Sequence, residues 1–100
     1  MDINKLMQQA QAMQKQIEQT TNEINEKEFT AEASGGLVKV TISGEYTVLN
    51  IDIDPSIIVA EDKEMIEDLI MVAINSAKQQ VDEYKREQLG SMASAMKLPF

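Results

Sequence analysis

The first twenty-six residues constrain this chain more than any others. Ile3, Leu6, Ala10, Met13, Ile17, Thr20 and Ile24 recur at alternating spacings of three and four, which draws one narrow seam along a helix. The seam is apolar at every position but Thr20, and little charge flanks it. Gln8, Gln9, Gln11, Gln14, Gln16 and Gln19 fill most of the remaining surface with good or neutral helix formers. A helix from residue 2 to about 26, rising ~1.5 Å per residue, is a rod of roughly 38 Å. No small sheet covers a rod of that length. Its C-terminal half is expected in the chain's own core. The rest of the seam, with Ile3, Leu6 and Ala10, is expected to meet a helix of a second subunit.

Three strands are predicted next. Phe29, Ala31 and Ala33 alternate with Thr30 and Glu32, and Ser34-Gly35-Gly36 supplies a tight turn. Val38, Val40 and Ile42 alternate with Lys39, Thr41 and Ser43, and Gly44-Glu45 marks a second turn. A third strand over Tyr46 to Ile53 sets Leu49, Ile51 and Ile53 against Asn50, Asp52 and Asp54 before Pro55 stops the ladder. Such an antiparallel meander has one apolar face, which a helix must cover.

After a connector over Ile57 to Glu61, a second helix is expected from Asp62, as N-cap, to about Gln88, with Gly90 as C-cap. Its main stripe is Ile66, Leu69, Ile70, Ala73, Ala77, Val81 and Tyr84, widened over the first turns by Met65, Met71, Val72 and Ile74. A helix apolar around so much of its surface is buried on two sides. The meander supplies one side, so Met65, Leu69 and Val72 are further candidates for a homodimer interface. The fold class is α+β, α-β-β-β-α, in a single domain over 1–90. Residues 91–100 are expected to form a mobile tail.

Chemistry is harder to place. The chain has no cysteine and no histidine, which removes thiol chemistry, zinc–thiolate sites, the usual general base and the commonest metal ligand. Asp52 and Asp54 share one strand face, but alternating acids on a wet face are far commoner than a cation site. Glu61, Asp62, Glu64, Glu67 and Asp68 fit capping and dipole complementarity at a helix start. Gly35-Gly36 lacks the spacing of a phosphate loop. No enzyme, cofactor, metal or small-molecule substrate is expected. No apolar run approaches the ~18 residues that span a bilayer, and the N-terminus lacks a signal-peptide core, so a cytoplasmic protein without membrane contact is expected.

The net charge of −8 opposes binding to a polyanion, but the acid is unevenly spread. Residues 39–68 hold eight acids against Lys39 and Lys63, whereas residues 1–22 balance Lys5 and Lys15 against Asp2 and Glu18. Residues 69–100 carry Lys78, Lys85, Arg86 and Lys97 against Asp82, Glu83 and Glu87. If a meander joins the helices, the start of the first and the end of the second project from one end of the subunit. Lys5, Lys15, Lys78, Lys85 and Arg86 are then candidate phosphate contacts. The alternative is an ordinary solvated face, with Lys78–Asp82 and Asp82–Arg86 as helical ion pairs. On physical grounds alone the alternative is stronger, because a typical DNA module carries a denser basic patch.

The run Gly35-Gly36-Leu37-Val38-Lys39-Val40-Thr41 with Gly44 resembles the glycine-led strand of the YbaB/EbfC family of bacterial nucleoid-associated proteins. Ile53-Asp54-Pro55-Ser56-Ile57-Ile58, Glu67-Asp68-Leu69-Ile70, Ala73-Ile74-Asn75-Ser76-Ala77 and the Leu98-Pro99-Phe100 ending are similar to further segments of that family, in the same order. The family often has a glycine triplet where this chain has Ser34-Gly35-Gly36. The resemblance implies a tweezer-like, nucleoid-associated homodimer that binds double-stranded DNA through its terminal helices and has no catalytic residue. The rival expectation is an acidic coiled-coil-type module that recruits a basic protein partner.

Overall fold

The computed structural model describes residues 2–96. Asp2 caps the first helix, α1 (Ile3–Glu26), its carboxylate accepting from the Asn4 N–H at 3.1 Å. At the other end the Lys27 N–H closes on the carbonyls of Glu23 and Ile24, and the chain turns directly into a strand. The sheet is β1 (Glu28–Ala33), β2 (Val38–Ser43) and β3 (Val48–Ile53), antiparallel in the order β1-β2-β3. Two 3-10 turns, Pro55–Ile57 and Ala60–Asp62, lead into the second helix, α2 (Lys63–Met96).

The core is a two-layer sandwich of α2 on β1 and β2. Phe29, Ala31 and Ala33 alternate inward along β1, and Val38, Val40 and Ile42 do so along β2. Ala73, Ala77 and Val81 answer them from α2 with no exposed surface, and Ile57 closes one end. Alanine on both layers lets the helix axis lie close to the sheet. The pattern read from the sequence therefore places the inward residues of β1, β2 and the central stripe of α2 correctly.

Four expectations need correction. The connector is two 3-10 turns, and α2 starts at Lys63, with Asp62 closing the second turn. Asp54 caps the first turn through the Ser56 N–H at 2.9 Å, a bond that holds its carboxyl below the usual carboxylate range. At the other end α2 does not stop at Gly90 but runs on to Met96. Gly90 lacks the positive φ of a C-cap, and Ser91-Met92-Ala93-Ser94-Ala95-Met96 offers the helix nothing that breaks it. The Leu98-Pro99-Phe100 ending lies outside the described residues.

The other two corrections concern β3. It begins at Val48, not Tyr46, and a bulge opposite Thr41 and Ile42 pairs Ile42 with Val48 and leaves Leu49 as the extra residue. Ile51 and Ile53 stand beside Val40 and Val38. The apolar face, however, is only partly covered. A helix about 10 Å wide spans two strands spaced ~4.8 Å apart, so the third stays open: Val48, Leu49 and Ile51 are each more than two-fifths exposed.

Candidate nucleic-acid interface

Both helices meet the sheet at the same end. Gly44 sits under the last turn of α1, its N–H donating to the Lys27 carbonyl at 3.0 Å. A Cβ on Gly44 would fall 1.7 Å from the Ile24 carbonyl oxygen, so the close approach of α1 to the hairpin admits only glycine here. At that end Phe29 and Tyr84 stack edge to face with centroids 5.5 Å apart, joining β1 to α2. The Lys27 ammonium lies 5.0 Å from the Tyr84 centroid and 5.8 Å from that of Phe29. Thus α1 runs into this end and α2 runs out of it, and the molecule is drawn out to 71 × 23 × 16 Å.

The β2–β3 turn supplies a second clasp. The Ser43 hydroxyl accepts from the N–H groups of Glu45 and Thr47 at 3.3 and 3.2 Å. Gly44-Glu45 forms the turn, as expected, and the positive φ falls on the residue after it, Tyr46, at 65°. Tyr46 reaches α2, where its hydroxyl donates to the Asp82 carboxylate and its ring lies 4.2 Å beneath the Lys85 ammonium. The Asp82 hydrogen bond, with a small addition from burial and the nearby charge, raises the Tyr46 phenol above its ordinary value. The phenol stays a donor throughout neutral pH.

The candidate cations are brought together only in part. Lys85 and Arg86 lie just past Val81, the last buried residue of α2 among those described, at the root of the two outgoing helices. Lys15 and Lys5 stand ~18 and ~33 Å out along α1, counting ~1.5 Å per residue back from Lys27. Lys78 sits beside the sheet, one turn before Asp82. All are exposed except Lys85, which is half-buried by Tyr46. Among the described residues the ion pairs are Glu32–Lys39 and Lys63–Glu67; neither expected pair of Asp82, with Lys78 or with Arg86, forms. Sequence reasoning missed Lys27 and Tyr46. Lys27 stands two residues before Phe29, a place that marks it for the same side of an extended chain. No sequence signal gave Tyr46.

The apolar candidates separate as well. Ile3 is 70% exposed and Leu6 50%, and Ala10 is exposed too, so the outer half of the α1 seam has no cover among the described residues. Met65 and Val72 are exposed on α2, whereas Leu69 packs partly against its own core. Ile58 and Val59 lie exposed beside them, lining a shallow groove with Ala60, Lys63, Ile66 and Glu67. No group of acidic side chains able to hold a metal ion occurs among the described residues, and no described helix is long and apolar enough to cross a membrane.

The model of the YbaB/EbfC DNA-binding family matches residues 1–96. The chain belongs to the YbaB/EbfC family. This is a nucleoid-associated DNA-binding family, and the resemblance read from the glycine-led strand and the segments that follow it is confirmed. A solved structure similar to this YbaB/EbfC chain is that of an uncharacterized protein from Helicobacter pylori, with 27% identity and a TM-score of 0.78. The match covers 93% of this chain and 98% of that one, so the α-β-β-β-α layout is shared along nearly the whole length.

Proposed function

We propose that this chain binds double-stranded DNA as a homodimer and acts at the nucleoid, in the cytoplasm, in nucleoid organisation or gene regulation. The contacts are made by α1 and the C-terminal half of α2, with Lys5, Lys15, Lys85 and Arg86 meeting phosphates, Lys27 joining them at the root, and Lys78 flanking them. The carrying observation is that none of the five cations named from the sequence is in an ion pair among the described residues, while Lys39 and Lys63, away from the helix root, both are. Cations left unpaired beside −8 of net charge are available to an external anion.

The second copy is supported by apolar surface that one chain leaves in water: Ile3, Leu6 and Ala10 on the arm, and Met65 and Val72 on α2, with Leu69 as a lesser contributor. Two copies set the helix pairs as opposed arms and the acidic middle segments behind them. No catalytic role is assigned to any residue.

The test is fluorescence anisotropy of a labelled ~30-bp duplex at about 50 and 200 mM salt, under conditions where sedimentation gives the dimer. The expected result is weak binding that falls steeply with salt, by about 0.9 in log–log slope for each phosphate contact. Absence of binding at both salts, with retention of a basic protein partner, would replace this reading with the acidic interaction module.

A further inference from the structure

We propose that Tyr46 is a positioning residue for the phosphate-binding cations: by holding Asp82, its hydroxyl keeps Lys78 and Arg86 out of helical ion pairs and open to DNA, while its ring fixes Lys85 beside them. This role rests on the DNA-binding reading above and adds a residue to it that lies outside both helices.

The arrangement on α2 poses a conflict. Asp82 stands four residues after Lys78, three before Lys85 and four before Arg86, the spacings at which side chains of opposite charge meet on a helix surface. Left alone, that one carboxylate competes with DNA for every cation of the segment. It pairs with none of them. Its partner is the phenol of Tyr46, from a turn thirty-six residues earlier in the chain. A neutral donor to an ionised acceptor makes a strong hydrogen bond, whereas an exposed helical ion pair is weak and screened. The phenol occupies Asp82 Oδ1, and no cation joins it on that carboxylate among the described residues.

Two further features fit this role. Tyr46 holds φ at 65°, a conformation that a bulky side chain rarely adopts and that persists only where its surroundings require it. Its ring lies 4.2 Å under the Lys85 ammonium, so Lys85 rests on a π face and not on a carboxylate. Hydroxyl and ring thus act on different neighbours, and substitution separates them.

Tyr46→Phe retains the ring under Lys85 and removes only the donor. The expected result is weaker duplex binding and a log–log salt slope shallower by about 0.9 for each phosphate contact withdrawn, with the thermal transition by circular dichroism still cooperative. In an Asp82→Asn background, where the carboxylate that the phenol holds is gone, the same substitution is expected to change neither affinity nor slope. Equal weakening in both backgrounds would show a structural effect and overturn the role, as would an unchanged slope in Tyr46→Phe alone. Failure of the unaltered protein to bind the duplex at about 50 mM salt would overturn the DNA reading itself, and this role with it.

Discussion

Three residues in the turns are held in special backbone or side-chain states, and each makes a prediction. Ser34 occupies φ 50° at the head of the Ser34-Gly35-Gly36 turn, where a left-handed conformation costs an L-residue about 1–2 kcal/mol. Ser34→Gly removes that strain but loosens the unfolded chain, which offsets about 0.5–1 kcal/mol. The net expectation is a gain of up to about 1 kcal/mol in urea unfolding, with an unchanged m-value. Gly44 is the opposite case: with an Ile24 backbone oxygen where its Cβ would go, Gly44→Ala must push α1 off the hairpin. A loss of about 3 kcal/mol or more is expected in the same measurement. Tyr46 is tested by titration. Its pKa is raised by the Asp82 hydrogen bond, so the protonated phenol is the form the fold favours. The stability it adds is complete below the ordinary tyrosine pKa and lost as pH rises through the higher folded value. Carbon-13 NMR of the Tyr46 ring is expected to show ionisation above pH 10.0, moving back toward that value in Asp82→Asn.

At the level of elements, periodicity was legible wherever one chain supplies both sides of a contact. The alternation of Phe29 to Ala33 and Val38 to Ile42, and the Ala73–Ala77–Val81 line, all end in the core, because burial within the chain is what those patterns encode. Boundaries governed by local chemistry were less legible. Gly90 reads as a C-cap, yet glycine permits a left-handed residue without requiring one, and the sequence after it favours helix. Gly90→Ala is accordingly expected to raise stability, by up to about 1 kcal/mol, since nothing lies within 4 Å of the added methyl. The bulge at Leu49 was not legible, because a single extra residue leaves Ile51 and Ile53 in phase while moving Val48 onto Ile42. Nor was the Tyr46 clasp, which joins a turn to a helix far along the chain; pair contacts of that range leave no local pattern. The candidate cations could be named from the sequence, but not sorted into root, arm and flank.

For the molecule as a whole, the open question of charge is whether DNA responds to −8 or to where that charge lies. The two possibilities separate cleanly because cations occur at both ends of the subunit. Lys85→Glu with Arg86→Glu reverses two charges at the helix root; Lys39→Glu with Lys63→Glu reverses two elsewhere, at exposed residues paired with Glu32 and Glu67. Both pairs lower the net charge equally. A long-range repulsion between DNA and the total charge would weaken binding to the same extent in each. Screening argues against that outcome: at about 0.1 M salt the Debye length is ~10 Å, well under the roughly 33 Å that α2, at ~1.5 Å per residue, puts between Lys63 and Lys85. The expected result by anisotropy is loss of duplex binding in the root pair, with the dimer intact by sedimentation, and a far smaller change in the distant pair. Equal losses would mean that the arms are not the site, because contact-range phosphate binding cannot treat the two ends alike.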